Sequence, residues 1–518
     1  MQTLESYICG QWHRGTGKPA ALHNPTTEEV IAETSSEGVD FKALLAHARD
    51  VGGTALRALS FGERAAMLKA LAGAIHEHRE ELIALSIENA GTTRSDAKFD
   101  IDGATGTLAA YAHFGKGLGD ARSLPSAEGI QLGRTARFWG QHILVPRHGA
   151  AVHINAFNFP AWNMMEKAAC ALLAGCPVIE KPGTPTAVVA WRIAQIVIQS
   201  GVLPEGAYQF IAGSAGDLLD HMSSQDCLAF TGSSGTAALL RGHPNLVRHN
   251  VRCNMEADSL NAAILAPDVE DDSETYGLFL SNVAQDITQK TGQKCTAVRR
   301  ILVPAERVEA VRDDLVAALG RIRVGAPDER ETRMGPLASA NQYADVRAGI
   351  ERLCSAADVA CGGLERPAGQ DKGWFVAPTL LVARDANDEV FHDEEVFGPV
   401  ATILPYSGGA EEASALVARG GGGLVTSAYS NDNAWLEAIV HGLAPWHGRL
   451  WLGSERMAEQ SLPPGMVLPA MIHGGPGRAG GGEELGGLLG LEFYLQRTAL
   501  QGFQGFIAKT FGPRTEEA

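Results

Sequence analysis

The chain has 518 residues, of which 45% are apolar and 20% charged, with 43 Lys and Arg against 60 Asp and Glu for a formal charge of −17. At roughly 100–200 residues per domain this length predicts two to four domains with large cores, and the composition excludes a disordered or fibrous chain. An acidic surface of this size disfavours binding to nucleic acid or anionic membranes, which depends on excess Lys and Arg.

The first five residues carry neither a basic stretch nor an apolar run, so no secretory signal is expected. The longest uncharged apolar run, 168–179, is too short to span a membrane and is broken by Gly175 and Pro177. Eight cysteines form no C-x-x-C pair and none of the paired spacings of a zinc or disulfide framework. A soluble, cytoplasmic protein without a metal centre is the expectation.

From Phe41 to about Gly119, apolar residues recur at spacings of three and four, which predicts helices. A linker-like piece follows over 123–140, and Ile143–Pro146 reads as a strand of a protruding hairpin. From Gly149 the pattern changes to short apolar runs at 150–155, 178–181, 208–212 and 228–231, each followed by a helix-compatible segment. Strand, turn and helix repeated in this way predict a parallel sheet with crossover helices. A second alternating series begins after Met255, with strands at 262–265, 301–303 and 380–382 and helices at about 276–290 and 308–319. The glycine-rich stretch 473–490 reads equally as a flexible linker or a structured loop, and an apolar segment, 491–506, follows. No repeat of 20–50 residues is present.

Two glycine-rich junctions, Ile211-Ala212-Gly213-Ser214-Ala215-Gly216 and Phe230-Thr231-Gly232-Ser233-Ser234-Gly235, fit a pyrophosphate seat at a helix N-terminus as well as they fit ordinary tight turns. Neither is a full G-x-G-x-x-G, and there is no NTPase P-loop. Cys295 follows Thr291-Gly292-Gln293-Lys294 on a glycine-bearing turn beside a cation, where a thiolate can be exposed and stabilised. Most cytosolic cysteines are inert core residues, so this one needs a base and an oxyanion seat to count. Glu256 ends a strand at the boundary between the two series, where a carboxylate in a cleft can act as a general base; alone it is more simply a capping or ion-paired residue. Asn158 sits in a turn after a strand and can direct an amide at an oxyanion, although asparagine in such a turn is commonplace.

Together, Asn158-Phe159-Pro160, Lys181-Pro182, Phe230-Thr231-Gly232-Ser233, Glu256, Gly292-Gln293-Lys294-Cys295 and Glu395-Val396-Phe397-Gly398-Pro399 stand in the order and spacing of the aldehyde dehydrogenase superfamily, which the chain resembles over nearly its whole length. The resemblance implies that Cys295 attacks the aldehyde carbon, that Asn158 and the Cys295 amide hold the oxyanion, and that Glu256 activates the water that releases a carboxylic acid. It implies that Lys181 and Glu395 bind ribose, that Gly213, Gly216 and Ser233 lie along the cofactor, and that Phe397 packs beside the nicotinamide. Many NAD-using relatives carry a Glu three residues after the motif lysine. Here that position is Thr184, which removes the repulsion of a 2′-phosphate, so NADP is the expected cofactor. The family's Glu-Leu-Gly-Gly-Lys is replaced by Glu256-Ala257-Asp258-Ser259-Leu260. Glu166-Lys167, on an otherwise apolar helix, is either a structural ion pair or a proton relay beside Glu256. By position, Gln496 stands where relatives have a Glu coupled to the base, and Glu492 is the nearest carboxylate.

The implied fold is α/β and aldehyde dehydrogenase-like: a dinucleotide-binding domain over 1–124 and 148–255, a catalytic domain over 256–470, and a small β oligomerisation element from 125–147 and 491–518. A homo-oligomer, with a dimer favoured, is implied. The wording of 152–160, 255–261 and 473–482 is similar to the aldehyde dehydrogenase half of the ring-opening enzyme of phenylacetate catabolism and to the coenzyme A branch of benzoate breakdown. The implied substrate is a semialdehyde tethered to CoA as a thioester. The alternatives are a CoA-acylating enzyme, a general dehydrogenase of free aldehydes, and a non-catalytic relative.

Overall fold

The computed structural model describes residues 1–513; positions 514–518 of the expected oligomerisation segment lie outside the described residues. The helical stretch forms as the periodicity predicts, from Phe41–His47 to Arg94–Lys116. Ser60 accepts from the amide of Glu63, whose side chain accepts from the Ser60 amide in return, so both ends of this capping box at Phe61–Glu77 are satisfied.

The first sheet has the order Arg252–Glu256, Cys227–Thr231, Ala151–Ile154, Val178–Lys181, Tyr208–Phe210, with these five strands parallel. The strands are short and mostly buried, and the polar residues within them, His153, Glu180 and Gln209, are buried too. Two further strands, Ser6–Ile8 and Gln11–His13, extend the edge antiparallel. These and a three-stranded sheet of Gln2–Leu4, Val30–Thr34 and Ala20–His23 were not anticipated, since such short strands are below the reach of periodicity.

One expected crossover helix is absent. After Tyr208–Phe210 the chain makes only the single turn Leu218–His221, and Gly213 (φ +113°) and Gly216 (φ +48°) turn the backbone instead of opening a helix. The helix Phe41–His47 covers that face, with Phe41, Leu44 and Leu45 in one core with Leu218, Leu219 and Met222. The glycine junction at 211–216 is therefore not a helix N-terminus.

The chain builds outward from Ala151–Ile154 in one direction and then returns to its other side with Cys227–Thr231. Strand order reverses between these two, and crevices for ligands open at such a point beyond the carboxyl ends of the strands. Asn158 follows the first of these strands, and Thr231 ends the second.

The second sheet has the order Ala357–Cys361, Thr379–Ala383, Val400–Tyr406, Arg300–Pro304, Ala262–Leu265, Gly423–Tyr429, His447–Gly453, parallel except for its first strand. The glycine-rich stretch is structured: Ile472–Gly475 and Gly482–Leu485 form an antiparallel hairpin wedged between the two sheets. A Cβ at Gly475 would lie 2.2 Å from the Gly423 carbonyl oxygen, and one at Gly480 (φ +101°) 2.4 Å from that of Met255, so only glycine lets the hairpin press against both sides.

Phe138–Pro146 pairs antiparallel with Leu495–Phe503 of the same chain, joined by Leu124–Pro125 and Ile130–Gln131. The supposed linker is thus partly strand, and the tail docks on its own hairpin. Among the described residues no helix is long and apolar enough to cross a membrane.

Candidate active site

Buried Asp100 fixes the entry to the site by accepting from the amides of Trp162 (2.8 Å) and Ala161 (3.3 Å) at the start of helix Trp162–Ala174. That helix carries Glu166 and Lys167 inward and supplies one wall of a narrow cavity of about 30 Å³. Phe99, Phe159 and Trp162 make the wall apolar, packed edge to face with centroids 5.2–5.9 Å apart. Asn158, Glu256, Cys295 and His473 reach the same cavity. The three residues that motif spacing singled out for chemistry are thus brought together from separate segments.

Helix Glu274–Thr288 delivers Cys295 through a turn with Lys290, Thr291 and Gly292 at positive φ. A Cβ at Gly292 (φ +66°) would meet the Gly398 carbonyl oxygen at 2.1 Å. Gly292→Ala is expected to destabilise the fold by about 2–4 kcal/mol and to misplace Cys295, measured by chemical unfolding and by the rate of Cys295 alkylation.

The reading of Lys294 as the cation beside the thiolate is corrected. Its ammonium is buried facing the other way, 2.8 Å from Asp286 Oδ1 and 2.9 Å from Gln289 Oε1, because a buried ammonium needs a carboxylate partner. Cys295 is half-buried rather than exposed, and burial together with the Glu256 carboxylate pushes its thiol well above the ordinary range. The Asn158 amide donates to the Gln293 carbonyl at 3.0 Å, which holds the side chain beside the cysteine loop.

Glu256 is 2% exposed, and neither carboxylate oxygen has a hydrogen-bond partner in good geometry among the described residues. Burial raises its pKa, but His473 and then Lys167 outweigh this and hold it at about 2. His473 Nε2 lies 3.2 Å from Glu256 Oε2 and 3.7 Å from Cys295 Sγ. Glu166 and Lys167 meet at 3.5 Å, and Lys167 Nζ lies 3.2 Å from Glu484 Oε2. Asn163 donates to Glu166 Oε1 (3.0 Å) and Asn254 to Glu484 Oε1 (3.2 Å). Burial raises Glu166 to about 7 despite Lys167.

The carboxylate coupled to this network is Glu484, neither Gln496 nor Glu492. Gln496 lies on the outer strand, accepting from Arg147 at 3.0 Å, and Glu492 pairs with Arg497. His473 and Glu484 face one another in register across the hairpin and so share a face. Sequence reasoning missed both. The signal available was two non-glycine polar residues bracketing a glycine run, but only the hairpin register shows that they are neighbours.

Of the candidate cofactor residues, Lys181, Thr184, Gly213, Gly216 and Ser233 end or follow strands of the first sheet, whereas Glu395 and Phe397 precede Val400–Tyr406 of the second. Lys181 ends its strand half-buried, donates to the Pro182 carbonyl at 3.0 Å and has its pKa lowered by burial; Thr184 opens the next turn. Ser233 caps helix Ser234–Arg241, accepting from the Thr236 amide at 3.3 Å. Asp258 accepts from the Ser234 amide at 2.8 Å, so a carboxylate already occupies part of that helix N-terminus. Burial raises Glu395 to about 7 against the pull of Arg299, whose Nε is 3.9 Å away. Phe397 packs edge to face on Phe157 with centroids 5.9 Å apart. Cationic and hydroxyl donors at Lys181, Thr184 and Ser233, with an acceptor at Glu395, fit the pyrophosphate and ribose chemistry of a nicotinamide dinucleotide.

A cysteine, a buried carboxylate and an amide donor converging in one cavity make a site for nucleophilic attack on a carbonyl carbon, and the chain belongs to the aldehyde dehydrogenase family, whose pattern matches residues 12–499. It is 45% identical over 478 residues to 3,4-dehydroadipyl-CoA semialdehyde dehydrogenase of Aromatoleum evansii, covering 91% of this chain and 93% of that one. It is 29% identical over 479 residues to betaine aldehyde dehydrogenase of Vibrio vulnificus, covering 90% and 92%. An aldehyde dehydrogenase from Bacillus cereus in an NAD+ complex superimposes with a TM-score of 0.83 at 25% identity, covering 97% of each chain. Betaine aldehyde dehydrogenase from Staphylococcus aureus in complex with NAD+ shares the fold, with a TM-score of 0.84 at 23% identity and 99% and 96% coverage. The fold is thus the expected aldehyde dehydrogenase-like α/β architecture.

Proposed function

We propose that the protein oxidises a CoA-linked semialdehyde, of the 3,4-dehydroadipyl-CoA semialdehyde type, to the carboxylic acid with NADP as oxidant. The observation that carries this reading is the convergence of Cys295, Glu256 and Asn158 in one aromatic-walled cavity, in a chain 45% identical to a semialdehyde dehydrogenase of that name. The apolar wall suits an aliphatic chain and leaves the polar groups at the end where an aldehyde carbon meets Cys295 Sγ.

Attack by the Cys295 thiolate gives a thiohemiacetal whose oxyanion takes hydrogen bonds from the Asn158 amide and the Cys295 backbone N–H. A bound nicotinamide supplies the hydride acceptor. Glu256 deprotonates the water that cleaves the resulting thioester, and its proton passes through the Lys167, Glu166 and Glu484 cluster. Lys181 and Thr184 hold the adenosine ribose phosphate, Ser233 the pyrophosphate, Glu395 a ribose hydroxyl and Phe397 the nicotinamide side, while Gly213 and Gly216 let backbone approach the adenine end. Because Asp258 occupies the Ser234 amide, phosphate binding leans on Lys181. The segments 1–124 and 148–255 serve as the cofactor domain and 256–470 as the catalytic domain. Exposed Ile130, Phe138, Phe503 and Phe506 on and beside the small sheet support a homo-oligomer, a dimer in this reading.

The test is initial rates with NADP and NAD on a CoA-linked semialdehyde and on a matched free aldehyde, with the product identified by mass. Preference for NADP and for the CoA-linked substrate, yielding a free carboxylate, is expected; equal rates across all four combinations overturn both specificities. In the same assay Thr184→Glu is expected to lower kcat/KM for NADP by about tenfold or more while NAD changes less, since it places a carboxylate against the 2′-phosphate.

A further inference from the structure

We infer that His473 is a further catalytic residue: it holds the proton that Cys295 sheds, so that the nucleophile is a thiolate–imidazolium pair anchored by Glu256. The inference rests on the reading of Cys295 as nucleophile and goes beyond it by naming the group that makes the thiol reactive.

The geometry comes first. His473 is 3% exposed, and its Nε2 is within reach of the two groups that matter, 3.7 Å from Cys295 Sγ and 3.2 Å from Glu256 Oε2. Its position is rigid for reasons visible in its neighbours. A Cβ at Gly474 would meet the Gly482 carbonyl oxygen at 2.0 Å, and one at Gly448 would meet that of Gly474 at 1.8 Å, so the backbone on the C-terminal side of the ring is clamped between two strands. Nδ1 has no hydrogen-bond partner among the described residues, so the ring is held by packing and by the charge of Glu256.

The chemistry follows from an otherwise awkward pair. A buried thiol beside a carboxylate resists ionisation, because burial opposes the charge and the thiolate would face Glu256 with Glu166 and Glu395 nearby. A cation within reach of both sulfur and carboxylate counters that resistance, as a neighbouring imidazolium does for reactive cysteines generally. Burial opposes charge on His473, but Glu256 and then Glu166 outweigh it and raise its pKa, against Arg449, which lowers it. Lys167 and Glu484 stand behind these groups, and Lys167 also acts on Glu256. In the step itself the S–H bond breaks, its electron pair stays on sulfur, and an N–H bond forms at Nε2, 3.2 Å from a carboxylate oxygen. Nothing is oxidised or reduced.

The experiment alkylates the cysteine with iodoacetamide as a function of pH, with no aldehyde or cofactor present, in the full-length wild type, His473→Asn and His473→Gln, following Cys295 by peptide mass. The expected result is an inflection for the wild type below the ordinary thiol value of about 8.5, moved up by about one unit or more in the variants, with alkylation at neutral pH slowed about tenfold or more. Variants with the wild-type profile overturn the inference. Should both variants fail to fold, thiolate absorbance of the wild type against Cys295→Ser decides it: a Cys295-dependent signal near neutral pH supports the pair, and one appearing only in strong alkali overturns it. Wild-type turnover is measured separately, so a protein that alkylates as expected but oxidises no aldehyde sinks the proposed function and not the ion pair.

Discussion

Glu256→Gln is expected to leave one rapid turnover per active site and to suppress all later ones by about 10²–10⁴-fold. The carboxylate is 2% exposed, held at about 2 by His473 and Lys167, and therefore ionised at any working pH. Its charge acts on sulfur in two opposed ways, pushing the thiol upward directly while raising the pKa of His473 beside it. A neutral amide of the same shape removes both effects together, so thioester formation continues while the base that deprotonates water is lost. Stopped-flow absorbance should show a burst of reduced cofactor equal to the enzyme concentration, and intact mass should show the acyl group on Cys295. If the thioester were resolved by the thiol of CoA, which needs no such base, the variant would turn over at close to the wild-type rate with CoA present. That outcome would replace hydrolysis with acyl transfer.

The motif residues were legible because chemistry restricts what can stand at them. Cysteine, glutamate and asparagine at those spacings predicted one site, and the structure brings Asn158, Glu256 and Cys295 to one cavity from three segments of chain. Strands 228–231 and 262–265 were legible for a different reason: buried parallel strands with both faces covered are short, apolar and bounded by turns. Lys294 was misread because sequence adjacency says nothing of side-chain direction, and Asp286 eight residues earlier captures it. Glu484 was missed because counting positions along the chain pointed to Gln496 and Glu492 and ignored the hairpin, whose register alone sets Glu484 opposite His473. The missing crossover helix had the same origin: a helix-compatible composition after Tyr208–Phe210 could not show that Phe41–His47, far earlier in the chain, already covered that face.

Lys167→Met tests whether the buried charges at Glu166 and Glu484 are scaffold or relay. Lys167 is 2% exposed, within 3.5 Å of Glu166 and 3.2 Å of Glu484, and its removal takes from two buried carboxylates the cation they share. Breaking a buried pair in this way costs about 3–5 kcal/mol, read by chemical unfolding. The sign with pH follows from the two directions. Glu166 is raised to about 7 in the folded protein, so its contribution favours folding at low pH and is lost as pH rises through that value. Lys167 is what restrains the rise, so in the variant Glu166 binds its proton to still higher pH, and the destabilisation is largest in mild alkali and shrinks toward acid. Glu256 runs the other way: depressed to about 2, it favours folding above the ordinary carboxylate range and loses that contribution as pH falls through about 2. A purely structural cluster would show this stability profile with kcat unchanged in the folded fraction. A relay that carries the proton from Glu256 requires more, because the hydrolytic step then loses its exit path: kcat should fall about tenfold or more, while the burst of reduced cofactor stays intact.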